Sequence, residues 1–462
     1  MIIFLALPLL LTSSLTLAAP VEPPAGPGQF WLRLDALPEA APRATAAAGT
    51  LRFDSLAALT SHALTHRAES RATWLSIQAE AARLDAATAL TWPTLSGQFN
   101  FTRSQALAST GASVPVLNRY GPSLSLGWVL YDFGARAAGI EAQRYQLIAS
   151  LLNNNRQIQD IIVEVETGWF ALVAARGLRV ALDEQVLALQ TSLQAVEARL
   201  TGGLASRADL LRARALLAEA DLARQAADRD VTRAEAGLKR AAGIAQTQTL
   251  VLDWDWVPAD PADLNLLEDL LAEAAQQRPD LAALRAASAR ARADAARARA
   301  QTRPSLALAA SGGRTLFLED ERSPSTTHSV GLTLSVPLFD GGRLAAEARA
   351  AERVAEQIEA QALAQQESVA LDVAQRYADA RYAQAARAGI GVQRESATES
   401  ARAAEARYRA GVGSLLEWLT AESDRARARQ AEAQAESDWL AALARLNHAL
   451  GRLSPVLTGA HP

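Results

Sequence analysis

The sequence predicts a mainly α-helical protein with a smaller strand portion, laid down as two copies of one unit. Three observations carry this. First, Leu130, Tyr131, Asp132 and Gly134 are followed 208 positions later by Leu338, Phe339, Asp340 and Gly342. The same offset links Gly203-Leu204-Ala205-Ser206 to Gly411-Val412-Gly413-Ser414, and Gly243 to Gly451. One offset held at three separate anchors marks an internal duplication. Second, each copy contains a long proline-free stretch with apolar residues three and four apart, the spacing of a coiled helical seam. Third, short segments of period two precede each stretch, as strands would. Upstream, Arg67 and Pro93 match Arg278 and Pro304 at an offset of 211, so the change of three falls in a loop before Leu130.

Composition fits helical repeats. Half of the 462 residues are apolar, yet only 5% are aromatic and alanine supplies much of the rest. Alanine favours helix and lets helices approach closely without a bulky core. A net charge of -4 argues against nucleic acid as a partner. The absence of cysteine excludes disulfides, thiol catalysis and thiolate metal sites.

The elements follow in order. Ile2 to Leu11 is apolar but too short to span a bilayer as a helix, and Ser13, Ser14, Ala18 and Ala19 follow, so residues 1–19 read as a secretory signal peptide. Residues 20–50, rich in Pro, Gly and Ala, read as a linker or extended tail. The first repeat, 51–255, opens with helical spacing from Asp54 to Leu90, which ends before Trp92-Pro93. Strands follow at about 94–103 and 122–131. In them Leu95, Phe99 and Phe101, then Leu124, Leu126, Trp128 and Leu130, alternate with small polar residues. A helical hairpin is expected over 134–243, turning at Thr201-Gly202-Gly203 and returning from Ser206 as N-cap. The second repeat, 256–451, begins with a linker and a helix interrupted near Arg278-Pro279. It continues with strands at about 304–312 and 329–338 and a hairpin over 342–451, turning at Gly411-Val412-Gly413 with Ser414 as cap. Residues 452–462 form a tail.

Each strand is expected to be about 9 residues long, enough for a tilted strand to cross a bilayer. Alternation alone does not say whether the apolar face meets lipid or a protein core. Four strands cannot close a barrel, so a lipid-facing sheet requires several copies, whereas a soluble sheet would pack on helices.

No enzyme signature is present. The five histidines include His62 and His66, four apart on one helical face, but without a matching acidic partner or an H-E-x-x-H pattern. They read as surface histidines, so no metal site, catalytic residue or cofactor is expected. Gly341-Gly342 lacks the G-K-[ST] continuation of a phosphate loop.

Val336-Pro337-Leu338-Phe339-Asp340-Gly341-Gly342-Arg343 resembles the strand-to-helix signature of bacterial outer-membrane efflux proteins of the TolC type. Tyr408-Arg409-Ala410-Gly411-Val412-Gly413-Ser414-Leu415-Leu416-Glu417 resembles the turn at the far end of their second hairpin. Together with the duplication, Arg278-Pro279-Asp280 and Pro304-Ser305-Leu306, the resemblance covers about Leu51 to Gly451. It implies a mainly α fold with a membrane β-barrel portion: a homotrimer whose chains share one twelve-stranded β-barrel, joined to a trimeric α-barrel of long helical hairpins. Phe99, Phe101, Leu126, Trp128, Leu332 and Leu334 would face outer-membrane lipid. Asp132, Gly134, Asp340, Gly341 and Gly342 would form the strand-to-helix junctions. The tips at Gly202, Gly203, Ala205, Ser206, Gly411, Val412, Gly413 and Ser414 would dock a periplasmic adaptor protein, itself joined to an inner-membrane pump. Glu417 and Thr420 would stand at the periplasmic entrance, and Gly413 where some members carry a gate arginine. The loops at about 103–118 and 316–328 would be extracellular. The implied function is passive export from the periplasm through the outer membrane. The alternative is a soluble coiled-coil scaffold or adaptor that binds partners through its hairpin tips.

Overall fold

The computed structural model describes residues 49–105, 116–203, 205–253, 264, 266–318 and 323–452. The expected signal peptide, most of the linker that follows it, residues 254–263 and nearly all of the C-terminal tail lie outside these. The described chain runs β1 (Thr50–Phe53), α1 (Leu56–His66), α2 (Ala68–Ala89), β2 (Thr94–Ser104), β3 (Leu117–Tyr131), α3 (Ala135–Thr201) and α4 (Arg207–Ala241). Then come β4 (Thr249–Leu252), α5 (Leu267–Gln277), α6 (Pro279–Ala300), β5 (Ser305–Leu318), β6 (Ser325–Ser335), α7 (Arg343–Arg409) and α8 (Leu415–Leu450).

The strands β2-β3-β5-β6 form one antiparallel sheet in that order, leaving β2 and β6 as edges. They run 11, 15, 14 and 11 residues, all longer than the expected nine because pairing continues into the segments read as loops. β6 stops earlier than expected, at Ser335, two residues before Pro337, which has no N–H to donate to a ladder. A bulge in β3 between Val129 and Tyr131 sets Tyr131, not Leu130, opposite Leu306 and ends the alternation expected through Leu130. Higher in the strand, Gly121 admits the backbone of β5, since a Cβ there would lie 1.8 Å from the Arg314 carbonyl oxygen.

The two rods α3 and α7 are each 67 residues long, about 100 Å at 1.5 Å per residue. α3 packs against α4, α8, α2 and α6, and α7 packs against α8, α6 and α5. Lateral order is therefore α4-α3-α8-α7 toward the hairpin tips and α2-α3-α6-α7 toward the sheet. Ile162, Val165, Trp169, Leu172, Leu182, Val186, Leu189 and Val196 are buried along α3, while α4 contributes Ala213, Ala220 and Ala227, seven apart. Large residues on one rod thus meet methyl groups on the other, which holds two long helices close.

The expected single helix from Asp54 to Leu90 is broken at Arg67, whose extended backbone (φ -66°, ψ 135°) separates α1 from α2. Arg278 breaks α5 from α6 in the same way (φ -67°, ψ 122°). Each break sends a buried guanidinium into the middle of the molecule. Arg67 donates to Glu164 of α3 at 2.6 Å and to the Ala241 carbonyl at the end of α4 at 3.2 Å, and also pairs with Glu69. Arg278 donates to Asp372 of α7 at 3.2 Å, to the Ala449 carbonyl near the end of α8 at 3.0 Å and to Asp280 at 2.6 Å. Glu164 and Asp372, like Ala241 and Ala449, stand 208 apart, so the duplication extends to these contacts. Beside them, β1 and β4 form a two-stranded parallel sheet that sequence reading did not anticipate.

The α8 terminus reaches Arg278 because Gly451 takes φ +80° and carries no side chain; a Cβ there would lie 2.9 Å from the Arg278 Cα. Gly134 also takes a positive φ of 93° but has open space around it. Gly134→Ala should therefore cost only left-handed strain, about 1–2 kcal/mol, and Gly451→Ala distinctly more, a ranking that thermal unfolding of the two variants checks.

Burial, the largest single influence on Asp280, pushes its carboxyl up, but hydrogen bonds and charge from Arg278 together hold it below the ordinary carboxylate range. A carboxyl lowered on folding contributes stability in full above its unfolded value, about pH 4, and loses it as pH falls through the folded value. Arg278→Met should destabilise the protein near neutral pH by about 3 kcal/mol, since the carboxylates it leaves are partly exposed. The gap to wild type should shrink on acidification toward pH 3. A gap that stays constant from pH 7 to pH 3 would show that the ion pair contributes nothing.

Candidate functional site

The sheet sorts its side chains by register. Leu95 lies opposite Leu126, Leu126 opposite Ala310, and Ala310 opposite Val330. Trp128, Leu308 and Leu332 form a second row, Leu306 and Leu334 a third, and Phe99 and Phe101 extend the same face on β2. Phe99, Phe101, Trp128, Leu332 and Leu334 are exposed, and Leu126 is half-buried. The reverse face is hydroxylic. Ser96, Ser125, Ser311 and Ser329 occupy one level across all four strands, with Ser96–Ser125 hydroxyls 2.7 Å apart and Ser311–Ser329 hydroxyls 2.8 Å apart. Sequence reading identified both faces but not this row, which appears only once four registers are fixed. At the sheet's rod end, Trp128 donates its ring N–H to the Thr91 carbonyl at 2.9 Å, and Tyr131 meets Phe133 edge-on at 4.7 Å.

The two junctions share one construction. Asp132 accepts from the Gly134 and Arg136 backbone N–H groups at 3.3 and 2.9 Å, and Asp340 from Gly342 and Leu344 at 2.9 and 2.7 Å. Each carboxylate satisfies donors that the first turn of the rod would leave open. Gly134 and Gly342 take left-handed conformations, as does Gly341 at φ +70°. Its counterpart Phe133 adopts φ +52°, the one non-glycine positive φ among the described residues.

At the opposite ends the hairpins turn sharply. Gly202 follows the last turn of α3, Gly203 takes φ +73°, Ala205 is half-buried, and Ser206 accepts from the Asp209 N–H at 3.1 Å. Asp209 returns the contact to the Ser206 N–H, and that bond with the Ser206 hydroxyl holds its carboxyl below the usual range. In the second hairpin Gly411 takes φ +79°, Val412 is exposed, and Ser414 accepts from the Glu417 N–H at 3.1 Å. Gly413 has no room for a side chain, because a Cβ would lie 3.0 Å from that of Arg407. Arg407 instead places its guanidinium 2.9 Å from Glu417. These two line an open crevice between α7 and α8 with Ser400, Thr420 and Asp424.

The tips are tied to one another. Arg199, at the end of α3, lies 4.4 Å over the Tyr408 ring and donates to the Tyr408 carbonyl at 3.2 Å, while Tyr408 stacks on Trp418 at 5.1 Å. Arg199 and Arg407 escaped the sequence reading because nothing in a helical repeat separates an arginine aimed at a neighbouring hairpin from one in solvent. Among the described residues no group of three or more histidine, cysteine or carboxylate side chains could hold a metal, and no helix is long and apolar enough to cross a membrane.

The family model for "Outer membrane efflux protein" matches residues 59–244 and 270–452, one match for each repeat. The chain belongs to this family. The efflux protein is 31% identical to Protein CyaE of Bordetella pertussis over 390 residues, covering 82% of this chain and 80% of that one. Among solved structures it is similar to a membrane protein from Pseudomonas aeruginosa (TM-score 0.74, 24% identity, 86% of this chain and 93% of that one). It is also similar to the open state of the MtrE channel of Neisseria gonorrhoeae (TM-score 0.73, 22% identity, 86% and 89%). As a member of the family the efflux protein is an outer-membrane channel that passes cargo without catalysing a reaction. That membership sets aside the soluble scaffold.

Arg199→Gln should remove a stacking contact of about 0.5–1 kcal/mol and a charge-assisted hydrogen bond of about 1.5–3 kcal/mol. Amide exchange should rise around 198–203 and 408–413 and stay unchanged near Arg67 and Arg278. Equal protection in both proteins would mean that the tips are held by backbone and apolar packing alone.

Proposed function

We propose that three chains close into one conduit in which the four-stranded sheets make a twelve-stranded barrel and the hairpins make a continuous α-barrel below it. The single observation that carries this is the pair of unpaired edges, β2 and β6, on a sheet with one face that is apolar across its central levels. Open strand edges in hydrocarbon cost several kcal/mol for each unsatisfied backbone group, so in an outer-membrane protein they must pair with the next copy. α4 and α7 are edges on the same two sides, so one heterologous contact would close sheet and rods together.

In this arrangement Phe99, Phe101, Leu126, Trp128, Leu332 and Leu334 face lipid, and the serine row becomes a ring of hydroxyls around the water-filled bore. The junctions at Asp132, Gly134, Asp340, Gly341 and Gly342 turn strands into rods at the membrane boundary. Glu417, Arg407, Thr420 and Asp424 surround the periplasmic entrance. The tips at Gly202, Gly203, Ala205, Ser206 and Gly411 to Ser414 meet an adaptor, and an inner-membrane pump supplies the energy. Twin capped turns support docking there, since both hairpins present a rigid glycine turn at one level.

Arg at Leu332 or Leu334 should cost about 2–4 kcal/mol near the bilayer midplane and reduce assembled trimer. Arg at Thr333 or Ser335 should leave assembly intact and alter conductance. Equal loss at all four positions in detergent sizing would favour a sheet packed on protein.

Glu417→Gln keeps the Ser414 cap and removes the carboxylate that pairs with Arg407, so the crevice lining loses one negative charge. In planar bilayers, the reversal potential across a salt gradient should move away from cation selectivity and multivalent-cation block should weaken. Identical values for wild type and variant would remove Glu417 from the constriction.

A further inference from the structure

Charge on the four-stranded sheet is of one sign and confined to one end. β2, β3, β5 and β6 contain no aspartate, glutamate or lysine, and their arginines are Arg103, Arg119 and Arg314, all toward the end away from the rods. Arg119 belongs to the hydroxylic face, where it donates to the Ser104 hydroxyl at 3.3 Å. Arg314 belongs to the other. It follows Ala310 by four residues through unbroken pairing of β5 with β6, so it shares the face of Ala310 and Leu308, and it is exposed. Beside it the apolar face is hollow. Gly97 and Gly312 flank Leu124 on one level of the sheet, and a depression of about 490 Å³ is lined there by these three with Phe99, Pro122 and Arg314. A Cβ at Gly312 would approach nothing closer than the Thr327 carbonyl oxygen at 3.9 Å, so the space over β5 is open. Tyr120, its ring 6.3 Å from that of Phe99, stands one level further out.

We propose that this hollow binds one phosphorylated lipid of the outer leaflet in each subunit, with an acyl chain lying over Gly97 and Gly312 and a head-group phosphate meeting Arg314. The inference rests on the reading of the apolar face as lipid-facing. In that reading the rods mark the periplasmic side. Arg314 lies six residues, about 20 Å of strand, beyond Leu308 in the Trp128 row, which places it toward the external surface. An arginine facing lipid is costly unless its guanidinium finds an anion, and its planar fork of donors fits phosphate oxygens in pairs.

Charge complementarity selects the occupant. His328 stands opposite Gly312 on β6, on the same face, and adds a second group able to donate to phosphate. Arg103 lies on that face two levels beyond Phe99 and extends the positive field outward. With no acid on any of the four strands, the face attracts an anionic head group and offers a zwitterionic one nothing for its cation. A second copy of the chain is not the occupant. The hollow lies on the face of the sheet rather than along an edge, so pairing of β6 with the β2 of the next copy leaves it open. The sequence alone offered an arginine near a predicted loop; its place on the apolar face, and the two glycines brought beside it, come from the register.

The test is native mass spectrometry of the full-length protein in uncharged detergent, titrated with synthetic bis-phosphorylated lipid A, with phosphatidylcholine or with inorganic phosphate. Wild type should bind the bis-phosphorylated lipid saturably, one per subunit, and about tenfold more tightly than phosphatidylcholine, as a charge-assisted contact predicts. Arg314→Gln should lose that about tenfold preference. Gly312→Leu, which fills the hollow and keeps the arginine, should weaken binding as well. Arg119→Gln removes the same charge from the opposite face and should bind as wild type does. Size exclusion checks that each variant assembles like wild type. The site is overturned, with the barrel left standing, if assembled Arg314→Gln binds the lipid as tightly as wild type, if Arg119→Gln weakens binding equally, or if inorganic phosphate binds as tightly as the lipid. Wild type that forms no trimer in detergent would overturn the lipid-facing sheet and the site together.

Discussion

A buried guanidinium joins three elements in each half of the chain, and the remaining architecture is arranged around it. Arg67 and Arg278 each sit at a break between two helices, reach a carboxylate midway along a rod, and hold a carbonyl at the end of the returning helix. A charge placed there is tolerable only because every contact is with an acceptor. The breaks, the glycine that ends α8 and the acids on the rods are therefore parts of one requirement. The second half carries an additional cross-tie. Arg156 donates to the His448 carbonyl at 2.9 Å, Gln159 to the Gly451 carbonyl at 2.6 Å, and His448 meets Asp160 at 2.5 Å, which binds α3 of one repeat to the end of α8 in the other.

The rods stay thin because their contacts are mostly made by alanine. α7 buries Ala348, Ala355, Ala380, Ala383, Ala401 and Ala404, and α4 buries only alanines over most of its length. Close helix approach replaces bulky packing, so a chain with few aromatics can still build structures of this length. The larger apolar side chains gather in two places: around Trp169, Phe170 and Trp439 at the arginine level, and around Tyr408, Trp418 and Leu415 at the tips. Those are the levels at which separate hairpins must be held to one another rather than merely laid side by side.

Much of this was legible in the sequence. The 208-residue offset, the glycine turns and the serine caps are local signals, and each marks a place where the backbone has few alternatives. Strand faces could also be read, because alternation survives without knowing any partner. What could not be read depended on register or on long-range approach. The row formed by Ser96, Ser125, Ser311 and Ser329 needs three strand pairings to exist, and the Tyr131 bulge resets a face that periodicity would carry on through Leu130. The break at Arg67 was missed although Arg67 matches Arg278 across the duplication, because Ala68 follows it where Pro279 follows Arg278 and no breaker marks the position. The β1–β4 pairing joins segments about two hundred residues apart, each too short to announce itself.

The position of the arginine anchors has a mechanical consequence. Below Glu164, the outgoing rod continues to Thr201, an arm of about 55 Å at 1.5 Å per residue. An arm of that length converts a pivot of about 5° at the anchor into about 5 Å at its free end, the pitch of one helical turn. An adjustment small enough to keep every hydrogen bond at Arg67 is thus large enough to exchange one set of side-chain neighbours for another at the far end. How widely the arms can swing is therefore set at two levels, by the anchor at Arg67 and by the Arg199–Tyr408 contact that ties the tips.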